Sequence, residues 1–458
     1  MNDTDKKVVV RIPPSPTGAM HLGTARTSLF NYLFAKQKGG KIILRFEDTD
    51  RERSKNEFAD DITVGLEWLG ITYDEVYKQS ERTEIYTKYL EQLITDDHAY
   101  ISKEKKKDVG SAPSTGSGQA GSPQGEGEVE IVRFRNKGES VTFKDEVRGN
   151  ITFDTTDLGD FVIAKSMTEP LYHLAVVVDD MEMEVSHVIR GEDHISNTPR
   201  QILIQRALGA PQPIYAHIPL ILAADKSKLS KRHGAVAVTA YKQEGFLPEA
   251  MVNFLALLGW NPGTEQEIFS LEELVKEFSF SKIQKGGAVF NVEKLRWFNK
   301  EYLRKLPIAN IAYEAKQYLA KYNPSDEMVA LIAPIILERI DIYSDIGKQV
   351  EEGEFDYYFN KPSLKKEALL WKDTSTDDTQ IHLKMVVEKL SALDQWEKDE
   401  IKNALWPYAE EVGKGNVLWP LRYSMTGRDK SPDPFTVANI LGKEETISRV
   451  QAAISLLS

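Results

Sequence analysis

The chain has 458 residues, of which 41% are hydrophobic and 28% charged, and its 70 acidic against 58 basic side chains leave a net charge of −12. The absence of cysteine excludes disulfides, thiolate zinc sites, iron–sulfur clusters and cysteine nucleophiles together, and none of the eight histidines falls in an H-E-x-x-H pattern. No run reaches the ~18 to 20 apolar residues of a membrane span and the first residues carry no apolar signal core, so a cytoplasmic protein with no membrane partner is expected. The acidic average repels nucleic acid overall, which still leaves room for a local basic face.

Residues 8–12 form a β-branched strand, and the segment Pro13-Pro14-Ser15-Pro16-Thr17-Gly18 forbids its continuation. Leu22, Leu29, Phe30, Leu33 and Phe34 recur at helical spacing up to Gly39-Gly40, and residues 42–46 form a second strand that runs into Glu47. Such a strand–helix–strand unit implies a parallel sheet. Ser54 and Glu57 predict a capping box for a helix ending at Gly70, and another helix is predicted from Ser80 to Leu93. Between Gly110 and Gly127, 12 of 18 residues are Gly, Ser or Pro, a composition that buries no core and reads as a flexible loop.

Strands are predicted at 130–135, 160–164, 171–178 and 185–190, then a helix opening at Asn197-Thr198-Pro199 and a strand near 215–222. Beyond Pro248 the spacing is almost wholly helical. The chain thus reads as α/β first and all-α last. Trp68, Trp260, Trp297 and Trp371 read as packing residues.

Two segments carry chemistry. Thr17, His21, Gly23 and Thr24 lie between a strand end and a helix start, where free N–H groups and the helix dipole favour a phosphate. Gly23 lets a flat base or phosphate approach the backbone. Downstream, Lys228-Leu229-Ser230-Lys231-Arg232 reads as a mobile basic loop able to close on charge developing at a phosphate. At the ends of the first two strands, Arg11 and Glu47 point into the crevice of a parallel sheet. Glu47 offers an anion there, and Arg11 and Arg190, aided by the Tyr172 hydroxyl, offer two cations with the planar, bidentate geometry that takes carboxylates.

The order His21-Leu-Gly23, then Lys-Leu-Ser-Lys-Arg, resembles the HIGH and KMSKS signatures of class I aminoacyl-tRNA synthetases. Arg11-Ile-Pro-Pro-Ser15-Pro-Thr-Gly, Arg45-Phe-Glu47-Asp-Thr-Asp, Val188-Ile-Arg190-Gly-Glu192-Asp193 and Phe290-Asn-Val-Glu-Lys-Leu-Arg-Trp narrow the resemblance to bacterial glutamyl-tRNA synthetases. Nearly the whole chain is covered, the Gly/Ser loop excepted.

The resemblance implies a Rossmann-like parallel-sheet catalytic domain with an inserted acceptor-binding domain, followed by an all-α anticodon-binding region. The expected segments are 1–75 and 170–225 for the two catalytic halves, with the insertion at 76–169 between them. The signature loop and stem-contact domain is expected at 226–307 and the helical anticodon region at 308–458. It implies glutamate binding by Arg11, Ser15, Glu47, Tyr172 and Arg190, and ATP binding by Thr17, His21, Gly23, Thr24, Glu192, Asp193, Ser230, Lys231 and Arg232. His21, Lys228 and Lys231 are the expected catalytic residues.

ATP brings Mg²⁺ with it, and no structural zinc is expected in a chain without cysteine. The expected partners of a monomer are L-glutamate, ATP and tRNA(Glu), with Lys282, Lys285, Arg296, Lys300, Arg304 and Lys305 as candidates to track the tRNA backbone. Adenylate formation should itself require bound tRNA. One departure stands out: some family members carry Asn four residues past the tyrosine, where this chain has Val176. Charging of tRNA(Gln), by a glutaminyl or non-discriminating enzyme, stays open at this level. So does a catalytically silent tRNA-binding protein, although His21, Lys228 and Lys231 are intact. A short glutamyl-queuosine paralogue is excluded because about 150 residues follow Leu306.

Overall fold

The first turn of the architecture follows from local sequence. β1 (Val9–Ile12) is stopped by prolines, α1 (Leu22–Gln37) follows, and β2 (Lys41–Phe46) pairs with β1 in parallel. α1 is buried over most of its circumference, from Leu22 to Ala35, as expected of a helix without a polar face. It ends where Gly39 turns left-handed, at a φ of +61°, and the Gly40 N–H donates back to Ala35 O at 2.8 Å.

In this computed structural model residues 7–105, 128–229 and 237–458 are described, and they fall into two compact units, Met1–Asn299 and Lys300–Ser458. After β2 come α2 (Asn56–Trp68), β3 (Glu75–Lys78) and α3 (Thr83–Thr95), then β4 (Ala99–Lys105), β5 (Glu128–Phe134), β6 (Ser140–Asp145), β7 (Gly149–Asp154), β8 (Phe161–Ser166) and β9 (Glu169–Pro170). α4 (Tyr172–Glu182), β10 (His187–Gly191), α5 (Thr198–Leu208), β11 (Ile214–Ile218) and β12 (Ile221–Leu222) complete the part that carries the candidate site.

β3 extends the β1–β2 sheet in parallel on one side. On the other side of β1, Ser186 bonds Val9: its N–H donates to Val9 O at 3.0 Å, and its hydroxyl accepts from Val9 N–H at 2.8 Å. This brings β10 alongside, followed by β11 in parallel and by the β6–β7 hairpin, joined at the Tyr215–Asp145 pair. β4, β5, β8 and β9 form a separate antiparallel sheet.

Three local expectations are corrected. Residues 171–178 are not a strand: from Tyr172 they form helix α4, in which every residue from Leu174 to Asp180 is buried. A short apolar Val run fits a buried helix as well as a buried strand, and burial on all sides decided it. The Ser54–Glu57 capping box is not made, since Lys55 is the N-cap and the Ser54 hydroxyl is buried without a hydrogen-bond partner among the described residues.

Of the expected mobile basic loop only Lys228 and Leu229 lie among the described residues, and they end a tight hairpin. There Ala223 N–H bonds Ser227 O at 2.8 Å, Leu229 N–H bonds Ile221 O at 3.0 Å, and Lys226 takes a φ of +66°. The third correction is at a tryptophan: Trp260 is buried as expected, but Trp297 is exposed, with the Lys294 ammonium 4.0 Å from its ring centroid.

The second unit is helical from Ile308–Tyr318 to Lys443–Leu457. Three of its helix starts are capped by side chains: Ser325, Ser375 and Asp433 each accept from a backbone N–H of the first turn.

Candidate active site

The strand order reverses at β1 and β10. β2 and β3 lie on one side, β11 and the hairpin on the other. In open α/β sheets the crevice at the carboxyl ends of such a pair is the ligand position. Arg11 comes from β1 and Arg190 from β10, so two guanidinium groups are delivered to that crevice. Both are almost wholly buried, as is Glu47 just past β2.

The buried charges are organised by α4. Its Tyr172, Val176 and Asp180 are four residues apart and share one face. Asp180 Oδ1 accepts from Arg11 Nε at 3.3 Å and from Arg45 Nη1 at 2.7 Å, while Arg45 Nη2 donates to Glu47 Oε1 at 3.0 Å. Burial alone would raise the Asp180 carboxyl, but Arg45 and Arg11 outweigh it and hold it below the ordinary carboxylate range. Burial dominates at Glu47 and pushes it up despite Arg45 and Arg11. A ligand ammonium placed there would favour its ionised form.

Adjacent Asp179 faces another way. It accepts from Gln79 Nε2 at 2.8 Å, Arg82 Nε at 2.7 Å and the Tyr86 hydroxyl at 2.9 Å, tying α4 to α3.

Arg190 is gripped from behind. Its Nε donates to His217 Nε2 at 3.1 Å and its Nη2 to the Thr198 hydroxyl at 2.8 Å. On Arg11 and on Arg190 one nitrogen, Nη1 in both cases, is buried with no hydrogen-bond partner among the described residues. A buried guanidinium N–H left unpaired is costly, and an anion bound between Arg11 and Arg190 would satisfy both. The Tyr172 hydroxyl, which meets His194 Nδ1 at 3.2 Å, lies in the electrostatic field of Glu47, Arg190 and Arg11. Ser15 is exposed in the loop after β1.

The nucleotide side is built at the start of α1. His21 is its N-cap: Nδ1 accepts from Thr24 N–H at 3.1 Å, and Nε2 meets the Thr24 hydroxyl at 3.1 Å. A Cβ on Gly23 would stand 3.0 Å from the His21 ring, so the glycine is needed to seat the imidazole as well as to admit a ligand. Thr17 N–H turns back to Ser15 O at 2.8 Å. After β10, Glu192 accepts from Leu220 N–H at 2.8 Å and from Arg148 Nη2 at 2.5 Å, and Asp193 holds Lys228 Nζ at 2.8 Å. Lys228 is thereby tethered to the loop beside Arg190. Ser230, Lys231 and Arg232 lie outside the described residues.

Sequence reasoning missed Arg45, Asp180, Asp145 and His217. Signals existed for two of them: Arg45 is a lone charge inside the apolar run of β2, and Asp180 ends the Val run of α4. Asp145 and His217 become neighbours only through the β6–β11 pairing. Lys282, Lys300 and Arg304 each sit in ion pairs, with Glu277, Asp341 and Glu301 respectively.

Residues 7–297 match the family described as tRNA synthetases class I (E and Q), catalytic domain, and residues 292–454 match an anticodon binding domain. The chain is 39% identical to a glutamate--tRNA ligase of Carboxydothermus hydrogenoformans, an alignment spanning 97% of this chain and 99% of that one. The chain belongs to the glutamate--tRNA ligases.

A ligase of the same name from Desulforamulus reducens is 36% identical over 97% of this chain and 99% of its own length. The fold agrees with a glutamate tRNA ligase from Elizabethkingia meningosepticum solved in complex with its amino acid, with a TM-score of 0.86 and 34% identity, covering 99% of this chain and 100% of that one. Val176 is buried on the α4 face between Tyr172 and Asp180. Among the described residues no helix is long and apolar enough to cross a membrane.

Proposed function

We propose that this chain joins L-glutamate to tRNA(Glu) at the expense of ATP, through a glutamyl-adenylate. The observation that carries the reading is the pair of buried, unpartnered guanidinium nitrogens on Arg11 and Arg190, set beside buried Glu47 at the sheet's switch point. This is a receptor for a small molecule with carboxylates and an ammonium. Arg11, Arg190 and Tyr172 take the carboxylates, Glu47 takes the ammonium, and Ser15 closes the loop side. Thr17, His21, Gly23, Thr24, Glu192, Asp193, Ser230, Lys231 and Arg232 bind ATP, which enters as its magnesium complex with phosphate and water as the main ligands.

In the first step a glutamate carboxylate oxygen attacks Pα and pyrophosphate leaves. In the second, a hydroxyl of the terminal tRNA ribose attacks the acyl carbon and AMP leaves. The protein contributes positioning and charge: His21 at the helix start, and Lys228 and Lys231 as cations toward the phosphates. The segments 1–75 and 170–225 make the catalytic body and 76–169 the acceptor-end insertion. Segment 226–307 carries the signature loop and stem contact, and 308–458 reads the anticodon. The protein works as a cytoplasmic monomer.

Charging purified tRNA(Glu) and tRNA(Gln) separately with labelled glutamate tests this reading. Glutamate must be transferred to tRNA(Glu), and tRNA must be required for pyrophosphate exchange. Binding of tRNA with neither activity marks a silent binding protein, and transfer to both tRNAs marks a non-discriminating enzyme.

A further inference from the structure

Arg190 is one end of a chain of hydrogen bonds that leads out of the crevice into a different part of the fold. Its Nε donates to His217 Nε2 at 3.1 Å, and the opposite ring nitrogen, Nδ1, meets Asp145 Oδ2 at 2.6 Å. Side chains of His217 and Asp145 are fully buried.

The donor count fixes the protonation of the ring. Arginine has only donors, so His217 Nε2 must be the acceptor, and the single proton of a neutral ring then sits on Nδ1, donated to Asp145. Burial, opposed by the bond to Asp145, lowers the imidazole to about 4, so the ring stays neutral near pH 7. The charged or titratable groups facing it are Asp145 from β6, Arg190 from β10, Tyr215 stacked at 6.0 Å, and the more distant Arg11 and His194. Asp145 is itself fixed by accepting backbone N–H bonds from Val147, Arg148 and His217.

We propose that Asp145 and His217 are positioning residues for amino-acid binding. Asp145 imposes the tautomer of His217, and His217 in that tautomer sets the guanidinium plane of Arg190 so that its Nη1 faces the ligand. This rests on the assignment of Arg190 to the glutamate pocket. The ring in the other tautomer would turn an N–H toward Arg190 Nε and repel it, as happens when a triad aspartate is replaced by its amide. The strand pair β6–β11 therefore acts on substrate affinity without touching substrate.

The test compares charging kinetics of His217→Leu, His217→Gln, Asp145→Asn and Arg190→Ala, with KM determined separately for glutamate and ATP. Loss of a hydrogen bond to a charged group corresponds to a rise of about ten- to a hundredfold. That rise is expected in the glutamate KM of His217→Leu and Asp145→Asn, with the ATP KM and kcat nearly unchanged. His217→Gln, whose side-chain oxygen can accept from Arg190, should recover most of the affinity.

Thermal unfolding of each variant identifies the folded ones, and the comparison rests on Gln against Asn if Leu fails to fold. Unchanged glutamate KM in the folded His217 and Asp145 variants, with a raised KM in Arg190→Ala, overturns the relay alone. Unchanged glutamate KM in Arg190→Ala overturns the pocket assignment beneath it. Equal rises for glutamate and ATP reduce both residues to structural ones.

Discussion

Arg11 Nε lies 3.3 Å from Asp180 Oδ1, an ion pair with both side chains buried that joins the first strand of the sheet to α4. Asp180 is shared, because Arg45 approaches the same oxygen at 2.7 Å. The two partners should therefore respond differently to mutation. Arg11→Ala leaves Asp180 neutralised by Arg45, yet removes the guanidinium that faces the crevice. It should weaken glutamate binding by at least ~2 kcal/mol, a roughly thirtyfold rise in glutamate KM. Asp180→Asn leaves buried Arg11 without its carboxylate and Arg45 with Glu47 and Asp179 alone, and should cost about 3 kcal/mol of stability, seen in urea unfolding. Similar unfolding midpoints for Asp180→Asn and the parent protein would remove Asp180 as the organiser of the cluster.

Gly23 and His21 set a second expectation. A methyl group at position 23 would press on the imidazole at 3.0 Å, so Gly23→Ala should push the ring by a few tenths of an ångström and loosen its capping bond to Thr24. The ATP KM should rise roughly tenfold while the glutamate KM holds, since a cap and its contact are worth ~1 kcal/mol or slightly more. Pyrophosphate-exchange kinetics with each substrate varied in turn checks it.

Lys231→Ala should slow adenylate formation by about 10²- to 10³-fold with little change in glutamate KM, as for a cation used chiefly in the transition state. Single-turnover measurements with tRNA present give the rate directly. An unaltered rate would leave Lys228, already held by Asp193, as the working cation of this segment.

Acid should destabilise the protein through its buried histidines. Burial, reinforced by nearby cations, lowers His173 and His194 to about 3, and burial against the Asp145 bond lowers His217 to about 4. The unfolded chain binds protons at these residues near pH 6.5 while the folded chain does not. Stability is therefore complete above pH 6.5 and falls with pH down to 3–4, by up to ~1.4 kcal/mol per pH unit for each histidine. Urea unfolding at pH 7.5 and pH 5 measures the slope. Replacing His217 by Gln should make that slope shallower.

A chain ending at Leu306 keeps every strand of the first unit and the helix Val292–Leu303 whole. It should still bind ATP, while charging of tRNA collapses and the salt dependence of tRNA binding weakens with the loss of phosphate contacts. Titration of tRNA across a salt series, for full-length and shortened protein, checks this. Equal slopes would place the tRNA contacts in the first unit.

The strand–loop–helix start at Val9–Leu22, the following strand, and the arginines and glutamate at their ends were legible because they depend on neighbours in sequence. Prolines stop a strand, apolar residues recur at helical spacing, and a β-α-β unit delivers its strand ends to one edge. The run Leu171–Val178 was not legible in this way. A short stretch of valines satisfies a buried strand and a buried helix equally, and only packing on all sides made it α4, which in turn set Asp180 on the same face as Tyr172.

The hold on Arg190 lay further from view still. Asp145 and His217 are 72 positions apart and meet because β6 and β11 pair. The sequence by itself determined that Arg11, Glu47 and Arg190 stand at or just past strand ends. Tertiary structure decided what grips them from behind, because that grip consists of buried hydrogen bonds between strands brought together only when the sheet closes.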